Sequence, residues 1–334
     1  MQYKLRTYLL GLLLVTCAWA QAGELSEQAR VSLLTCSPGE ELYARFGHTA
    51  IRVTDPAHDM DIVFNYGIFD FNTDHFYWKF VKGETWYELG ATSYPWFMRE
   101  YKETRRPVYE QTLRLTAEQR EALWEALVVN YEPENRQYLY NFVYDNCATR
   151  PYYLIKAVLS TDSACAFSST YEGAEGKTYR SFIQYYTPKG SWADFGINLL
   201  LGHKADKPMQ GEERLFLPEE LMGYISQARL ADGQPMVETE QTAPFVIARV
   251  PWYKTWYFGI AMLFVLMAVL SFYDRRRGKR SLWADIILYT VYALLLVLVG
   301  FLTFFSIHPL VGFGWRLLII PCIHLCARLI YIIH

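Results

Sequence analysis

After Pro251 the chain changes character. Residues 256–272 are almost wholly apolar, and the run is opened by Trp252, Tyr253, Trp256 and Tyr257. In hydrocarbon every backbone N–H and C=O must find its partner within the protein, so a run of this kind is expected to be a membrane-crossing helix. The four rings suit a membrane–water interface. Arg275-Arg276-Arg277-Gly278-Lys279-Arg280 follows at once, and an excess of basic residues in so short a loop places it in the cytoplasm. A membrane domain over 251–334 with about three spans is expected, at residues 254–273, 282–306 and 316–334. The third span carries Pro321, His324 and Arg328. Ionisable groups at that depth are costly, and they read equally as a functional feature or as a helix end whose Arg snorkels. The chain stops inside this apolar stretch, which reads as an incomplete membrane region.

Orientation follows from the basic loop: residues 23–250 lie on the opposite side of the membrane. The N-terminus agrees. Lys4 and Arg6 precede a short apolar run and then Ala18, Ala20 and Ala22, the pattern of a signal peptide over 1–22 cleaved after Ala20 or Ala22. The chain is therefore expected in a bacterial inner membrane, with residues 23–250 forming a domain on the periplasmic side. The formal charge of −2 gives no sign of nucleic-acid binding. Aromatic residues make up 17% of the chain and crowd residues 64–109, reading either as a ring-rich core or as a lipid-facing surface.

Within the exported part the periodicity predicts α+β, with a small antiparallel sheet. Arg30–Cys36 reads as a buried strand stopped by Ser37-Pro38-Gly39. Residues 49–53 and 62–71 read as a hairpin across Asp55-Pro56, and 85–91 and 108–115 as further strands. A short helix is expected near 96–103. Thr116 with Gln119 is a capping box, ahead of Leu123, Leu127 and Tyr131 on one helical face. Residues 148–159 again have helical spacing, with Pro151 in the first turn where it is tolerated. Cys147 thus falls at or just before a helix N-terminus.

Six cysteines are present. Cys17 leaves with the signal peptide, and Cys322 and Cys326 lie in the third span. An odd set remains outside: Cys36, Cys147 and Cys165. In an oxidising compartment one of these is unpaired or bonds another chain. A Cys36–Cys165 disulfide is the expected pairing, because Cys165 lies in a Ser/Thr/Ala-rich loop where a staple is useful. Cys147 is then free. Helix N–H groups and a nearby imidazolium would bring its thiol below ~8.5, and the same N–H groups could hold an oxyanion. His48, entering a strand after Gly47, is the candidate base. A third polar group should orient its ring: Asn65 first, with Asp70 and Tyr66 as alternatives. The bland alternative is a buried structural Cys and a hydrogen-bonded structural His. No cofactor is expected: the exported histidines lack tight ligand spacing, and no phosphate loop or dinucleotide fingerprint occurs.

Four blocks carry a resemblance. Leu33-Leu34-Thr35-Cys36-Ser37-Pro38-Gly39, Arg45-Phe46-Gly47-His48-Thr49-Ala50, Phe64-Asn65-Tyr66-Gly67 and Asp145-Asn146-Cys147-Ala148-Thr149-Arg150 together resemble the periplasmic domain of Lnb-type lipoprotein N-acyltransferases. Their order, His first and Asn-Cys later, is also similar to circularly permuted papain-like folds such as lecithin:retinol acyltransferase. The resemblance implies Cys147 as nucleophile and His48 as base, and leaves the third residue open. It implies ping-pong transfer from a phospholipid acyl donor, through a Cys147 thioester, to the α-amine of a diacylglyceryl-cysteine lipoprotein acceptor. Arg45 or Arg150 could meet a lipid phosphate, or serve in a structural ion pair. Two rivals remain: a papain-like cell-wall peptidase or amidase, and a non-enzymatic membrane-anchored module.

Overall fold

The computed structural model describes residues 24–70, 72–160, 167–173, 176–247, 249–279 and 281–314. The expected signal peptide, the third span and Cys165 lie outside the described residues.

In chain order the elements are β1 (Arg30–Cys36), β2 (His48–Asp55), β3 (Met60–Ile68), α1 (Phe76–Lys82), β4 (Trp86–Ser93), α2 (Tyr94–Glu103), β5 (Val108–Leu113), α3 (Ala117–Tyr131), β6 (Gln137–Leu139) and α4 (Thr149–Ser160). Then come β7 (Phe167–Ser169), α5 (Tyr179–Tyr186), α6 (Trp192–Leu200), α7 (Pro218–Ser226), β8 (Ala228–Leu230), β9 (Val237–Gln241), α8 (Trp256–Arg277) and α9 (Leu282–Phe305). The class is α+β. One antiparallel sheet runs β6-β4-β3-β2-β1-β5-β9, and β7 with β8 makes a separate ribbon.

β1 lies inside the sheet between β2 and β5 and is buried along nearly its whole length. Its alternation explains why. Val31 and Leu33 join Ile51, Val53, Phe64 and Tyr66 in a large core against α3, α4 and α7. Leu34 and Cys36 join Ala50, Val63, Phe97 and Tyr101 in a smaller one under α2. Each fully buried Leu or Ile here stabilises the fold by roughly 1.5–3 kcal/mol. The same parity puts His48 on the α2 side with Ala50, Asn65 and Gly67 there with Val63, and Tyr66 on the opposite face.

The capping box before α3 is formed: Thr116 Oγ1 accepts from Gln119 N–H at 3.2 Å, and Gln119 Oε1 accepts from Thr116 N–H at 2.9 Å. α1 was not foreseen. Its Phe76, Tyr77, Trp78 and Phe80 have neither strand nor helix periodicity in so short a segment, and what orders it is contact with distant residues.

The expected Cys36–Cys165 disulfide is a correction. Cys36 is a free thiol, fully buried at the end of β1 beside Phe97 and Tyr101. Burial pushes its thiol up to about 12, against a hydrogen bond with Tyr101. The expected pairing rested on the loop around Cys165, whereas the Cys36 side chain is packed beneath α2.

α8 and α9 are 22 and 24 residues long, strongly apolar and almost entirely exposed. At 1.5 Å per residue they span about 33–36 Å, enough to cross a bilayer. Side chains such as Phe264, Leu294 and Val297 are more than half exposed, which suits lipid and not water. Between them Asp274 closes the turn by accepting from Ser281 N–H at 2.8 Å. Beyond α9 the chain returns to the folded domain. Ile307 N–H donates to Lys82 O at 2.8 Å, Gly202 N–H to Leu310 O at 2.9 Å, and Gly312 N–H to Leu200 O at 3.0 Å. At the other span, Trp256 N–H donates to Gly190 O at 3.0 Å and the Trp256 ring lies 5.3 Å from that of Phe195.

Candidate active site

Gly47 turns the chain into β2 with φ +79°, and a Cβ there would lie 2.7 Å from the Cys36 carbonyl oxygen. That turn delivers His48 to the sheet face under α2. On β3, the neighbouring strand, Asn65 faces the same way. His48 Nε2 and Asn65 Oδ1 are 2.6 Å apart. An amide oxygen only accepts, so Nε2 carries the proton and Nδ1 keeps a free lone pair.

Cys147 arrives from the other side. Asn146 Oδ1 accepts from Ala148 N–H at 2.8 Å and Thr149 N–H at 2.9 Å, and Asn146 O accepts from Arg150 N–H at 3.1 Å. Asn146 therefore caps the start of α4, and Cys147 lies in the turn that leads into the helix at Thr149. Asn146 Nδ2 donates to Phe142 O at 2.7 Å and to Phe216 O at 2.8 Å, which fixes the cap against two loops. Cys147, His48, Asn65 and Asn146 all line one cavity of about 350 Å³. That size falls in the range of small-molecule pockets.

Among the three residues considered as the ring's orienter, only Asn65 reaches it. Tyr66 lies on the opposite sheet face, its hydroxyl accepting from Asn130 Nδ2 at 2.9 Å. Asp70 has left the strand and organises a turn through Asn72 N–H at 2.8 Å. Arg150 makes a two-pronged pair with Asp145 and lies 3.8 Å over the Tyr138 ring, and Arg45 Nη2 donates to Glu40 O. Neither lines the cavity.

The charge state of the pair differs from expectation. Burial pushes the Cys147 thiol up to about 11, against the N–H groups of Thr49 and of Cys147 itself, which point at the sulfur. Burial pulls His48 down to about 4, opposed by its bond to Asn65 and reinforced by the charge of Arg106. The helix N–H groups foreseen as thiolate stabilisers are mostly occupied by Asn146. Of the groups at the start of α4 only the Cys147 N–H serves the sulfur, joined by the Thr49 N–H from β2. The cavity therefore holds a neutral thiol and a neutral imidazole near pH 7. Alkylation of Cys147 by iodoacetamide is therefore expected to be slow at pH 7 and to rise about tenfold per pH unit toward 11. A plateau reached by pH 7 would instead reveal a thiolate–imidazolium pair. The imidazole should remain unprotonated down to about pH 4, so the acidic limb of any His48-dependent activity lies there and not near 6.5.

Three contributors had no role assigned from sequence. Asn146 was seen only as the neighbour of Cys147, although Asn followed three residues later by Thr, ahead of a helical run, is itself a cap signal. Arg106 lines the cavity, donating to Ser37 O at 2.9 Å and to Glu100 at 3.1 Å across the Tyr101 ring. Gly67 underlies the imidazole: a Cβ there would stand 2.6 Å from His48 Cε1 and 3.2 Å from Asn65 Oδ1. Gly67→Ala is expected to cost ~10²-fold in any reaction that uses His48, through misplacement of the ring, with a shift in melting temperature of only a few degrees. Equal turnover by Gly67→Ala and the parent protein would show that the ring has room to move.

Residues 16–184 match the Lnb N-terminal periplasmic domain, and residues 254–334 match the Lnb transmembrane domain. No curated protein and no solved structure matches the chain.

Proposed function

The chain belongs to the Lnb family, a membrane protein with a periplasmic domain, and on that premise we propose that it is a lipoprotein N-acyltransferase of the bacterial inner membrane. One observation carries the reading: a free cysteine at a helix start shares a cavity with a histidine whose far nitrogen is held by Asn65 at 2.6 Å. That is the nucleophile, base and orienter arrangement of a thiol acyl-transfer site. It sits on a domain hydrogen-bonded to both ends of a membrane-spanning pair, where the substrates are themselves lipids.

His48 Nδ1 takes the Cys147 thiol proton as the sulfur attacks an ester carbonyl of a membrane phospholipid. The Cys147 N–H, left over by the Asn146 cap, is a donor available to the developing oxyanion. Collapse breaks the C–O bond, and the lysophospholipid leaves with the proton from His48. The free α-amine of a diacylglyceryl-cysteine lipoprotein then attacks the thioester. His48 takes the amine proton and returns it to the departing sulfur, giving an amide and the free thiol. A thioester reacts readily with amines and survives where water is excluded.

Intact-mass analysis tests this directly. Full-length protein incubated with a phospholipid of defined chains should gain one acyl mass on Cys147, lost again on adding a lipopeptide with a free N-terminal amine. An unmodified Cys147 after prolonged incubation would sink the transferase and favour a peptidase or a structural module.

A further inference from the structure

A row of rings joins the membrane domain to the cavity. Phe80 and Phe76 stack at 6.2 Å, Phe76 and Phe69 at 5.9 Å, Phe69 and Tyr87 at 4.8 Å, and Tyr87 and Tyr140 at 4.2 Å, with interplanar angles of 22°, 15°, 25° and 17°. Phe69, Tyr87 and Tyr140 line the Cys147 cavity. At the other end, α1 rests on the exit of α9. The His308 ring nitrogen meets Phe80 O at 2.8 Å, and the Trp78 ring lies 4.9 Å from that of Phe301, inside the span.

Part of this row is core, as the burial of Phe76 and Tyr87 shows. Core packing does not explain the rest. Tyr77, Trp78 and Phe80 are 77%, 57% and 44% exposed, Ile68 at the cavity mouth is 37% exposed, and all four are apolar-bodied. Such a patch in water is unfavourable. Anchored on the end of a membrane span, it meets the bilayer interface, where these rings are favoured.

We propose that α1 lies in the membrane interface and that the acyl chain of the donor phospholipid lies along Phe80, Phe69 and Tyr87, which brings its ester carbonyl to Cys147. The inference rests on the transferase reading and names the surface that recognises the donor. Occupancy by an acyl chain follows from position: the row begins against lipid, is aromatic throughout and ends in the cavity that Cys147 lines.

The test uses full-length protein in phosphatidylethanolamine/phosphatidylglycerol vesicles doped with a phospholipid carrying a terminal diazirine on its acyl chains. Irradiation should label Phe69 or Tyr87 inside the cavity, as well as α1. A diazirine lipopeptide acceptor should not label these two. In parallel, Phe69→Ala and Phe80→Asp should each lower the ratio of kcat/KM for long-chain over short-chain phospholipid by about tenfold, the worth of one ring contact. If wild-type Cys147 is acylated but labelling stays on the spans, or the acceptor labels Phe69, or the ratio is unmoved, the acyl route is wrong while the transferase stands. If Cys147 is never acylated, the transferase reading itself fails.

Discussion

Cys147→Ser is expected to lose acyl transfer by about 10⁴-fold or more, and His48→Ala by about 10²–10⁴-fold. The reason lies in the resting charges. With the thiol pushed up to about 11, only about one molecule in 10⁴ carries a thiolate at pH 7, so a base must remove the proton as the bond forms. In the proposed transfer His48, free of a proton down to about pH 4 and with Nδ1 unoccupied, serves as that base. The two deficits should not add in the double variant, because both residues serve one step. The His48→Ala protein should also recover activity as pH rises toward 11, where the thiol ionises unaided. Residual transfer above one-tenth of wild type in His48→Ala, measured with a single phospholipid donor at pH 7, would remove the imidazole from the mechanism.

Asn146→Ala is expected to act mainly on stability. The side chain is 2% exposed and satisfies four backbone groups: the N–H groups of Ala148 and Thr149, and the carbonyls of Phe142 and Phe216. Alanine leaves all four without that partner in a dry setting. Loss of a cap costs about 0.5–2 kcal/mol and each buried orphan about 1–3, so a net loss of about 3–5 kcal/mol is reasonable once local relaxation is allowed. In a domain of this size that lowers the melting temperature by about 10 °C. Transfer by whatever remains folded should fall more than tenfold, since the start of α4 that presents Cys147 is no longer held. A melting temperature within 2 °C of wild type would mean that Thr149 and solvent replace the cap.

The sheet was largely legible because period-two alternation is local. Arg30–Cys36 matches its expected strand to the residue, and the hairpin after Asp55 was readable from strand chemistry and a turn. Which of Asn65 and Tyr66 shares a face with His48 was not drawn from the strands beforehand, and it is the pairing of β1, β2 and β3 that separates them. The thiol's charge could not be read in the same way. It depends on how completely α2, the cavity walls and Arg106 close around the pair, and these come from residues 37–218. Cys36 failed for a related reason: cysteine counting sees compartment and number, and it cannot see Tyr101 lying on the sulfur. α1 was invisible because seven residues give too few turns for a helical period, and the membrane exit that supports it is more than two hundred positions away.

The chain segment after α9 is hydrogen-bonded to the end of α1 and to the end of α6, while the start of α8 is bonded at Gly190. The folded domain is thus tied to the spans at separate points, which limits how far it can lean toward the bilayer. Vertical travel falls to the lipid. Each methylene lifted out of hydrocarbon into water would cost ~0.8 kcal/mol, a toll that grows with chain length unless an apolar surface accompanies the chain along its climb. If the proposed transfer holds, a site at fixed height works as a gauge, reaching esters that can rise to it and passing over those that cannot.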